Sequence, residues 1–196
     1  QTGNGWNFDD GGTFDTPAHH IFIANCEWRG INATGNNDLL KLSGIDSFAV
    51  RDCWFSDGAA GGSMSDMVGC HDGTFEDNVF ERAGSNAIQA KGGTRRIRIE
   101  RNRFIDAGLR GINIGGSTGL QFFRPQGAKY ESAEIWIYSN LFVLSQAPIA
   151  FVGTVQSRVI NNTFLYPQKW AIRILQETTD SGFVQCGDNV FSNNIV

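Results

Sequence analysis

One three-residue pattern recurs seven times along this chain: a small or amide residue, then any residue, then an aromatic residue. Five of the six steps between successive copies are 22 to 27 residues long, which is the length of one coil of a parallel β-helix. The pattern therefore predicts an all-β fold in which each coil stacks on the one before. The copies begin at Cys26, Cys53, Asn78, Asn102, Asn140, Asn162 and Asn189.

A second repeat, offset from the first, marks the ends of apolar runs at Gly44, Gly69, Gly92, Gly116, Gly153 and Gln176. Because side chains alternate along a strand, the residues two and four positions before each end are predicted to face the core, and the residue three positions before to face outward. The predicted outward column contains Lys41, Asp66, Gln89, Asn113, Ala150 and Arg173, with Asn7 in an earlier copy. Two repeats with one period predict a single domain over residues 1–196, a single-stranded parallel β-helix of about seven coils. We expect it to be right-handed, as parallel crossovers generally are.

The composition agrees with this fold and argues against some functions. The chain has 24 glycines, which suit several turns in each coil, and only 4 prolines, which would remove hydrogen-bond donors from central strands. A net charge of −4 argues against a nucleic-acid partner, because such proteins are usually basic. No apolar run approaches the ~20 residues that a membrane-spanning helix needs.

The ends of the chain suggest where the protein works. It begins with Gln1, without an initiating methionine or a signal sequence, which suits a mature secreted or cell-surface protein or a piece of a longer one. Strand-like sequence continues to Val196, and bare sheet edges usually find a partner. We therefore expect either further chain beyond these residues or end-to-end self-association.

The cysteines allow two interpretations. Cys26 and Cys53 occupy the same position of neighbouring coils, so their backbones should lie ~4.8 Å apart, within the range that a disulfide accepts. They could equally be two stacked reduced thiols that fill a turn. Cys70 and Cys186 have no evident partner, and the absence of a Cys-x-x-Cys pair argues against structural zinc.

One coil is about 14 residues longer than the others, because the step from Asn102 to Asn140 includes an insertion at residues 117–134. Long loops on a repetitive scaffold often carry function, although this one could instead pack on itself and cover a sheet edge. Smaller insertions at residues 14–19 and 56–63 follow the same side of the coil. The three excursions could therefore line one groove.

Several phrases of this chain resemble bacterial right-handed parallel β-helix repeat proteins. The wider relatives of that group are pectate-lyase-like proteins, which bind extended sugar chains along one sheet of the helix. The resemblance covers nearly the whole chain and implies an extracellular protein that engages an acidic polysaccharide. The phrases are residues 38–44 (DLLKLSG), 66–71 (DMVGCH), 89–93 (QAKGG), 115–119 (GGSTG), 122–125 (FFRP) and 173–177 (RILQE).

The chain departs from the better-understood branches of that superfamily. Hydrolases of the polygalacturonase type carry clustered aspartates, whereas the outward column here contains only Asp66, and glycoside hydrolysis normally needs two carboxyl groups. The chain lacks the arginine-rich strand motif and the calcium-binding aspartate cluster of pectate lyases. The cofactor is therefore left unassigned, with calcium as one candidate. Lyases of the chondroitinase B type use a strand lysine upstream of an Asn-x-Phe turn. Lys91 upstream of Asn102 is similar, with a spacing two residues longer.

The outward column is the candidate site. Its members should lie ~4.8 Å apart on successive coils, so that Lys41, Asp66, Gln89 and Asn113 form a polar stripe with an exposed Lys91 beside it. We expect this stripe and Arg173 to bind an acidic oligosaccharide in a groove bordered by Arg110, Phe122, Phe123 and Arg124. If the ligand is cleaved by elimination, a neutral Lys91 or His71 would be the base and Arg110 would stabilise the enolate. The alternative is that Lys41 and Asp66 are a solvated cross-strand pair on an exposed sheet.

Two further hypotheses stay open. The alternative function is a non-catalytic structural or adhesive β-solenoid that stacks end to end into fibres. A hard-metal cluster is conceivable where His19 and His20 follow Asp9, Asp10 and Asp15, although no spacing rule supports it. Residues 32–34 form a glycosylation sequon, which matters only in a eukaryotic secretory host.

Overall fold

The structure, a computed structural model, describes residues 3–12, 16–31 and 35–196. Phe14 and Asp15 of the insertion predicted at residues 14–19, and the sequon at residues 32–34, lie outside the described residues. Within these ranges the regular elements are twenty-one strands and one short 3₁₀ helix, Leu120–Phe122. In chain order the strands are β1 (Trp6–Asp9), β2 (Ala18–Ala24), β3 (Glu27–Arg29), β4 (Leu40–Ser43), β5 (Ile45–Arg51), β6 (Trp54–Ser56), β7 (Ser63–Val68), β8 (His71–Glu76), β9 (Val79–Glu81), β10 (Asn86–Lys91), β11 (Thr94–Glu100), β12 (Arg103–Ile105), β13 (Arg110–Gly115), β14 (Ser132–Tyr138), β15 (Leu141–Val143), β16 (Ala147–Val152), β17 (Thr154–Val155), β18 (Arg158–Ile160), β19 (Thr163–Leu165), β20 (Ile172–Leu175) and β21 (Val190–Ser192).

The strands form three parallel sheets that wind into a β-helix, as predicted. Sheet A has the order β1-β4-β7-β10-β13-β16-β20. Sheet B has the order β2-β5-β8-β11-β14-β18-β21, with β17 also pairing with β14, and sheet C runs β3-β6-β9-β12-β15-β19. The chain makes about six turns, one fewer than the seven expected. No helix among the described residues is long and apolar enough to cross a membrane.

The register predicted for sheet A is confirmed along its whole length. The outward column pairs Asn7 with Lys41, Lys41 with Asp66, Asp66 with Gln89, Gln89 with Asn113, Asn113 with Ala150, and Ala150 with Arg173. The inward neighbours are buried in the central strands, including Leu40, Leu42, Ile112 and Ile149. The prediction is wrong for Ile174 of β20, which is 67% exposed because no further strand covers the end of sheet A among the described residues. The strands end at glycines because the chain turns there with positive φ, for example 62° at Gly69, where a Cβ would lie 2.6 Å from Cβ of Arg124.

A row of aromatic rings fills the core along the helix axis. Each ring lies on the ring of the next coil, with centroids 4.4 to 5.0 Å apart. Phe104 and Phe142 are completely buried in the middle of the row, as predicted. The row contains Trp28, Phe55, Phe80, Phe104, Phe142 and Phe164.

A row of asparagines lies beside the rings. The Asn102 side-chain oxygen accepts hydrogen bonds from the backbone N–H and the side-chain amide of Asn78, both at 2.9 Å. Asn140 accepts from Asn102 and Asn162 from Asn140 in the same way. An amide both donates and accepts hydrogen bonds. One asparagine side chain can therefore pair with the backbone groups of a turn and also link that turn to the next coil.

The last copy of the sequence pattern does not continue this row, which corrects the prediction for Asn189. The acceptor for Asn162 is Asn194, 32 residues further along, with hydrogen bonds of 2.8 and 3.0 Å. Strand β21 instead pairs with β18 in sheet B, so Phe191 is aligned with Val159. The cause is the irregular segment between β20 and β21, which lengthens the final coil and shifts its register.

All four cysteines are free thiols in this structure, which fits the reduced alternative. The Cys26 N–H points at Sγ of Cys53 at 3.5 Å, and the Cys53 N–H donates to the Asn78 side chain at 3.0 Å. Burial raises the pKa of the Cys53 thiol and raises that of Cys70 to about 12. The Cys53 and Cys70 thiols are therefore packing groups rather than nucleophiles at neutral pH.

Candidate functional site

A continuous groove crosses the outer face of sheet A. It consists of two pockets of about 340 and 320 Å³, which share Asn36, Lys91 and Ser117 as lining residues. The larger pocket extends over Gln89 and Asn113 of the outward column. The two pockets therefore lie on the face that carries the outward column.

A buried ion cluster forms the floor of the groove. Asp66 is completely buried and forms an ion pair with Lys41, while the Lys91 Nζ lies 3.2 Å from its Oδ2 atom. The Lys91 side chain is only 12% exposed, so the expectation of a freely exposed lysine is wrong. The alternative of a solvated Lys41–Asp66 pair is also wrong, because the Asp66 carboxylate is fully buried and has no contact with solvent. Lys41 and Lys91, from the coils on either side, thus both place their ammonium groups against the buried Asp66 carboxylate.

A second carboxylate, Asp38, belongs to the same cluster. It is buried, its Oδ1 accepts a hydrogen bond of 2.8 Å from the Ser63 N–H, and its Oδ2 lies 3.8 Å from the Lys41 Nζ. Burial, together with the negative charge of Asp66, raises the pKa of Asp38 to about 6. The cluster therefore contains a carboxyl group that titrates near neutral pH.

Two buried oxygens of the column have no hydrogen-bond partner among the described residues. They are Oδ1 of Asp66 and the side-chain oxygen of Asn113. Buried polar atoms are nearly always paired, and Asn113 lines the larger pocket. Asn113 is 1% exposed, so a donor in the groove would reach this oxygen only after the side chain turns toward the pocket.

Two arginines line the larger pocket. The Arg110 guanidinium lies 3.1 Å from a carboxylate oxygen of Glu177, which lines the same pocket. The Arg173 guanidinium lies over the Trp170 ring, 4.7 Å from its centroid, and forms no ion pair among the described residues. With Lys41 and Lys91, four cations line a groove to which Glu177 contributes the one lining carboxylate among the described residues. The lining is therefore net positive on an acidic chain, although Asp66 neutralises part of the charge of Lys41 and Lys91 and Glu177 part of that of Arg110.

The insertion contributes one aromatic side chain to the groove rather than two. Phe122 is half-exposed and lines the smaller pocket, as predicted. Phe123 is buried against Phe183, with its ring edge-on at 5.7 Å. The prediction that Phe123 borders the groove is therefore wrong, because consecutive residues of the loop point to opposite sides.

Arg124 does not border the groove either. Its guanidinium forms two hydrogen bonds with the Asp46 carboxylate, at 2.7 and 2.6 Å, and a third with the Gly69 carbonyl at 2.9 Å. It is buried, and Asp46 raises its pKa, so the charge is fixed. Arg124 attaches the insertion to β5 of sheet B, and its role is structural.

His71 lies in the wrong sheet for the predicted role of a base. It starts β8 in sheet B, and its Nε2 lies 3.3 Å from the Gly93 carbonyl and 3.4 Å from the Arg124 carbonyl. Burial and the neighbouring Arg124 charge lower its pKa, so the ring is neutral at pH 7. A neutral imidazole beneath the insertion cannot reach a sugar over sheet A.

One residue that holds the site together was not identified from the sequence. Glu131 is completely buried and accepts hydrogen bonds from the Gly92 N–H, from the N–H and hydroxyl of Thr118, and from the Thr178 hydroxyl. These donors belong to a strand turn, the start of the insertion and the segment after β20. A buried carboxylate with four donors fixes the wall of the groove. The only sequence signal was its position at the end of the insertion.

The hypothesis of a metal cluster near His19 gains no support from the geometry. Asp15 lies outside the described residues, and the His19 and His20 rings are edge-on with Nδ1 atoms 2.6 Å apart. Across residues 3–12, 16–31 and 35–196, no group of three or more His, Cys, Asp or Glu residues could hold a metal ion.

Comparisons with known proteins do not assign a function to this groove. No model of a known protein family matches the chain, and no curated protein matches it either. The parallel β-helix is shown by its strand pairing, and the function has to be inferred from the chemistry of the groove.

Proposed function

We propose that the groove on sheet A binds an acidic polysaccharide or oligosaccharide, outside the cell or at its surface. The observation that carries the proposal is the local charge. Lys41, Lys91, Arg110 and Arg173 line the groove of a chain whose net charge is −4. An elongated cationic groove attracts a polyanion and repels a cationic chain.

The residues of the groove suit both groups of a uronate sugar. The Arg173 guanidinium forms no ion pair with any carboxylate of the described residues, so it can bind a sugar carboxylate in a bidentate way. Once its side chain turns toward the pocket, the oxygen of Asn113 accepts from a hydroxyl group, and Gln89, one strand away, lines the same pocket. Because the strands repeat every ~4.8 Å, successive sugars of an extended chain would meet successive coils. The resemblance to pectate-lyase-like proteins supports the same ligand class.

The geometry supports binding better than cleavage. Elimination needs a neutral base next to the sugar proton. Lys91 is ion-paired with Asp66 and His71 belongs to sheet B, so neither is a free base in the groove. Lys91 and Arg110 are better placed to neutralise a carboxylate. A lyase-like activity remains the more demanding form of the proposal.

The decisive experiment removes one charge from the groove without disturbing the buried cluster. Arg173→Gln should weaken binding of hexagalacturonate at least about tenfold in isothermal titration calorimetry, because a charge-assisted pair is lost. Arg103→Gln is the matched control, since Arg103 is exposed on sheet C. Equal losses in the two variants, or no binding of hexagalacturonate, hexamannuronate or a hyaluronan hexasaccharide by the natural chain, would reject the proposal.

Cleavage is tested separately. The same three oligosaccharides are incubated with the protein, with and without calcium, and the absorbance of unsaturated product is followed in the ultraviolet. Binding without any product would support the proposed binding function and reject a lyase-like activity. Product formation that survives in Lys91→Ala would remove Lys91 from the chemistry.

The alternative function, an adhesive or structural β-solenoid that stacks end to end, stays a prediction. Large apolar side chains are exposed on the last strands, among them Ile174 and Phe191. Sedimentation over a range of concentrations distinguishes the two functions. Growing assemblies without glycan binding would favour the alternative.

A further inference from the structure

A second pocket lies on the outer face of sheet B, in a different sheet from the groove. Its volume is about 400 Å³. The lining residues come from β14, β18, β21 and the two turns that precede β18 and β21. They are Glu134, Trp136, Gln156, Arg158, Asp188 and Val190.

Trp136 is the centre of this pocket. Its neighbours Ile135 and Ile137 are completely buried, so the alternation along β14 turns the indole outward, where it is half-buried. The register places Arg98 on one side of Trp136 and Arg158 on the other. Hydrogen bonding to β11 and β18 fixes the strand on both sides, so the indole is presented by a rigid surface.

The polar side chains around the indole lack partners within the protein. Among the described residues, Gln156, Arg158 and Asp188 form no side-chain hydrogen bond or ion pair. On the neighbouring coils several such groups are paired: Arg96 lies 2.6 Å from Asp72, and Arg101 lies 3.1 Å from Asp77. The donors and acceptors of the pocket are instead open to a ligand.

We propose that this pocket binds a neutral pyranose ring of an unbranched oligosaccharide. The apolar C–H face of the sugar packs on the Trp136 indole, since aromatic rings offer a large, rigid contact surface with a polar edge. Carboxylates accept hydrogen bonds from sugar hydroxyls, while Arg158 and Gln156 donate to ring and hydroxyl oxygens. The site is independent of the groove on sheet A and goes beyond the function proposed for it.

The charges of the two sites select different sugars. The pocket on sheet B is lined by the carboxylates of Glu134 and Asp188 and by the single guanidinium of Arg158. An acidic sugar would be repelled there, whereas the groove on sheet A is basic. One chain would then hold an acidic and a neutral glycan on different faces.

The test is calorimetric titration with cellohexaose, xylohexaose and mannohexaose. We expect at least one to bind with a Kd of ~1 mM or tighter and Trp136→Ala to weaken it about tenfold or more. Trp54→Ala is the matched control, because Trp54 is also half-exposed on an outer sheet face and lies 4.9 Å from the Arg29 guanidinium carbon. It should leave binding unchanged.

A second variant guards against a folding defect in Trp136→Ala. Asp188→Asn removes one acceptor charge at an exposed side chain and should weaken the same hexasaccharide several-fold with an unchanged melting temperature. Arg173→Gln should lose hexagalacturonate and keep the neutral ligand, so failure of one site is distinguishable from failure of the other. The proposal is overturned if no neutral hexasaccharide binds, if both tryptophan variants lose affinity equally, or if Asp188→Asn changes nothing.

Discussion

At the scale of single residues, the corners of the coils are built from side chains that usually avoid their conformation. Asp72 and Arg96 both have positive φ, 58° and 55°, at equivalent corners of adjacent coils. A non-glycine residue with positive φ costs roughly 1 kcal/mol of conformational free energy. The stacking of the coils brings the Asp72 and Arg96 side chains together as a bidentate ion pair. Asp77 and Arg101 repeat the arrangement at the next corner. Corner positions with no partner should therefore be weak points.

Leu144 is such a position and gives the first prediction. It has φ of 64° and is 44% exposed, so its side chain adds little packing while its backbone is strained. Leu144→Gly should raise the free energy of unfolding by about 0.5–1 kcal/mol in urea denaturation. The control is Leu165→Gly, a similarly exposed leucine within β19, which should lower stability. A loss of stability in both variants would contradict the strain argument.

The second prediction concerns the aromatic row. The Phe104 ring is fully buried between Phe80 and Phe142, at 5.0 and 4.5 Å. Phe104→Ala should lower the free energy of unfolding by about 3–5 kcal/mol, because it removes buried area and leaves a cavity. Phe22→Ala, at a ring that is 65% exposed, should cost less than about 1 kcal/mol. If urea denaturation shows similar losses of unfolding free energy in the two variants, the aromatic row does not contribute more to stability than an exposed ring.

At the scale of elements, sheet A and the insertion were assembled by different means. The register of β4, β7 and β10 places Lys41, Asp66 and Gln89 side by side, with Lys91 two residues further along β10 on the same face. The insertion has no register, and it is held by two charged side chains that reach across the fold, Arg124 and Glu131. The floor of the groove follows from the repeat, whereas its wall depends on these particular contacts.

The ion cluster predicts a pH dependence of stability. The pKa of Asp38 is raised from 3.8 to about 6 in the fold, so the native state holds this proton more tightly than the unfolded chain. Its contribution is present in full below pH ~4 and is lost as the pH rises through about 6, which removes about 1–3 kcal/mol. Asp38→Asn keeps the acceptor for the Ser63 N–H and abolishes this titration. Urea denaturation at pH 4.5 and 7.5 should show a smaller loss in the variant than in the natural chain, and equal losses would refute the assignment.

Glu131 predicts how the insertion can be released. Glu131→Gln weakens the charge-assisted hydrogen bonds from Gly92, Thr118 and Thr178. Hydrogen exchange should become about tenfold faster or more in residues 117–130 and 176–185, and stay unchanged around Asn102. Glu27→Gln, at an exposed ion pair, is the control and should change neither segment. If the insertion exchanges at the natural rate in Glu131→Gln, Arg124 alone holds it.

At the scale of the whole molecule, each coil contacts its neighbours and little else. Stability is then close to a sum of coil and interface contributions, so it can vary along the axis. Strands β10 and β13 are buried almost throughout, whereas β20 and β21 are half-buried or exposed. The molecule is therefore not expected to open as one unit.

Native-state hydrogen exchange should show this gradient. We expect amides of β10 to β15 to exchange only through global unfolding, and those of β20 and β21 to exchange at least about tenfold faster through local opening. Phe104→Ala should speed up exchange throughout the central coils. Uniform protection of all strands in the natural chain would mean that the coils unfold together.

Much of this architecture follows from the sequence because stacking in register is a local rule. A parallel pairing with one period places residues of successive copies side by side, so the Lys41 column and the Phe104 row could be aligned without coordinates. The groove floor on sheet A follows from the same rule. The rule fails at the last coil, where Asn194 replaces Asn189 because the preceding segment is irregular.

Only the tertiary structure decided what happens outside the repeat. The insertion could fold in many ways, and the contact of Arg124 with Asp46, 78 residues away, determined that Phe123 is buried and His71 is covered. The same three-dimensional packing buried Asp66 and drew Lys91 onto it, since burial depends on neighbouring loops as well as on alternation. The repeat therefore determined which residues share a face, and the non-repeating contacts determined which of them a ligand can reach.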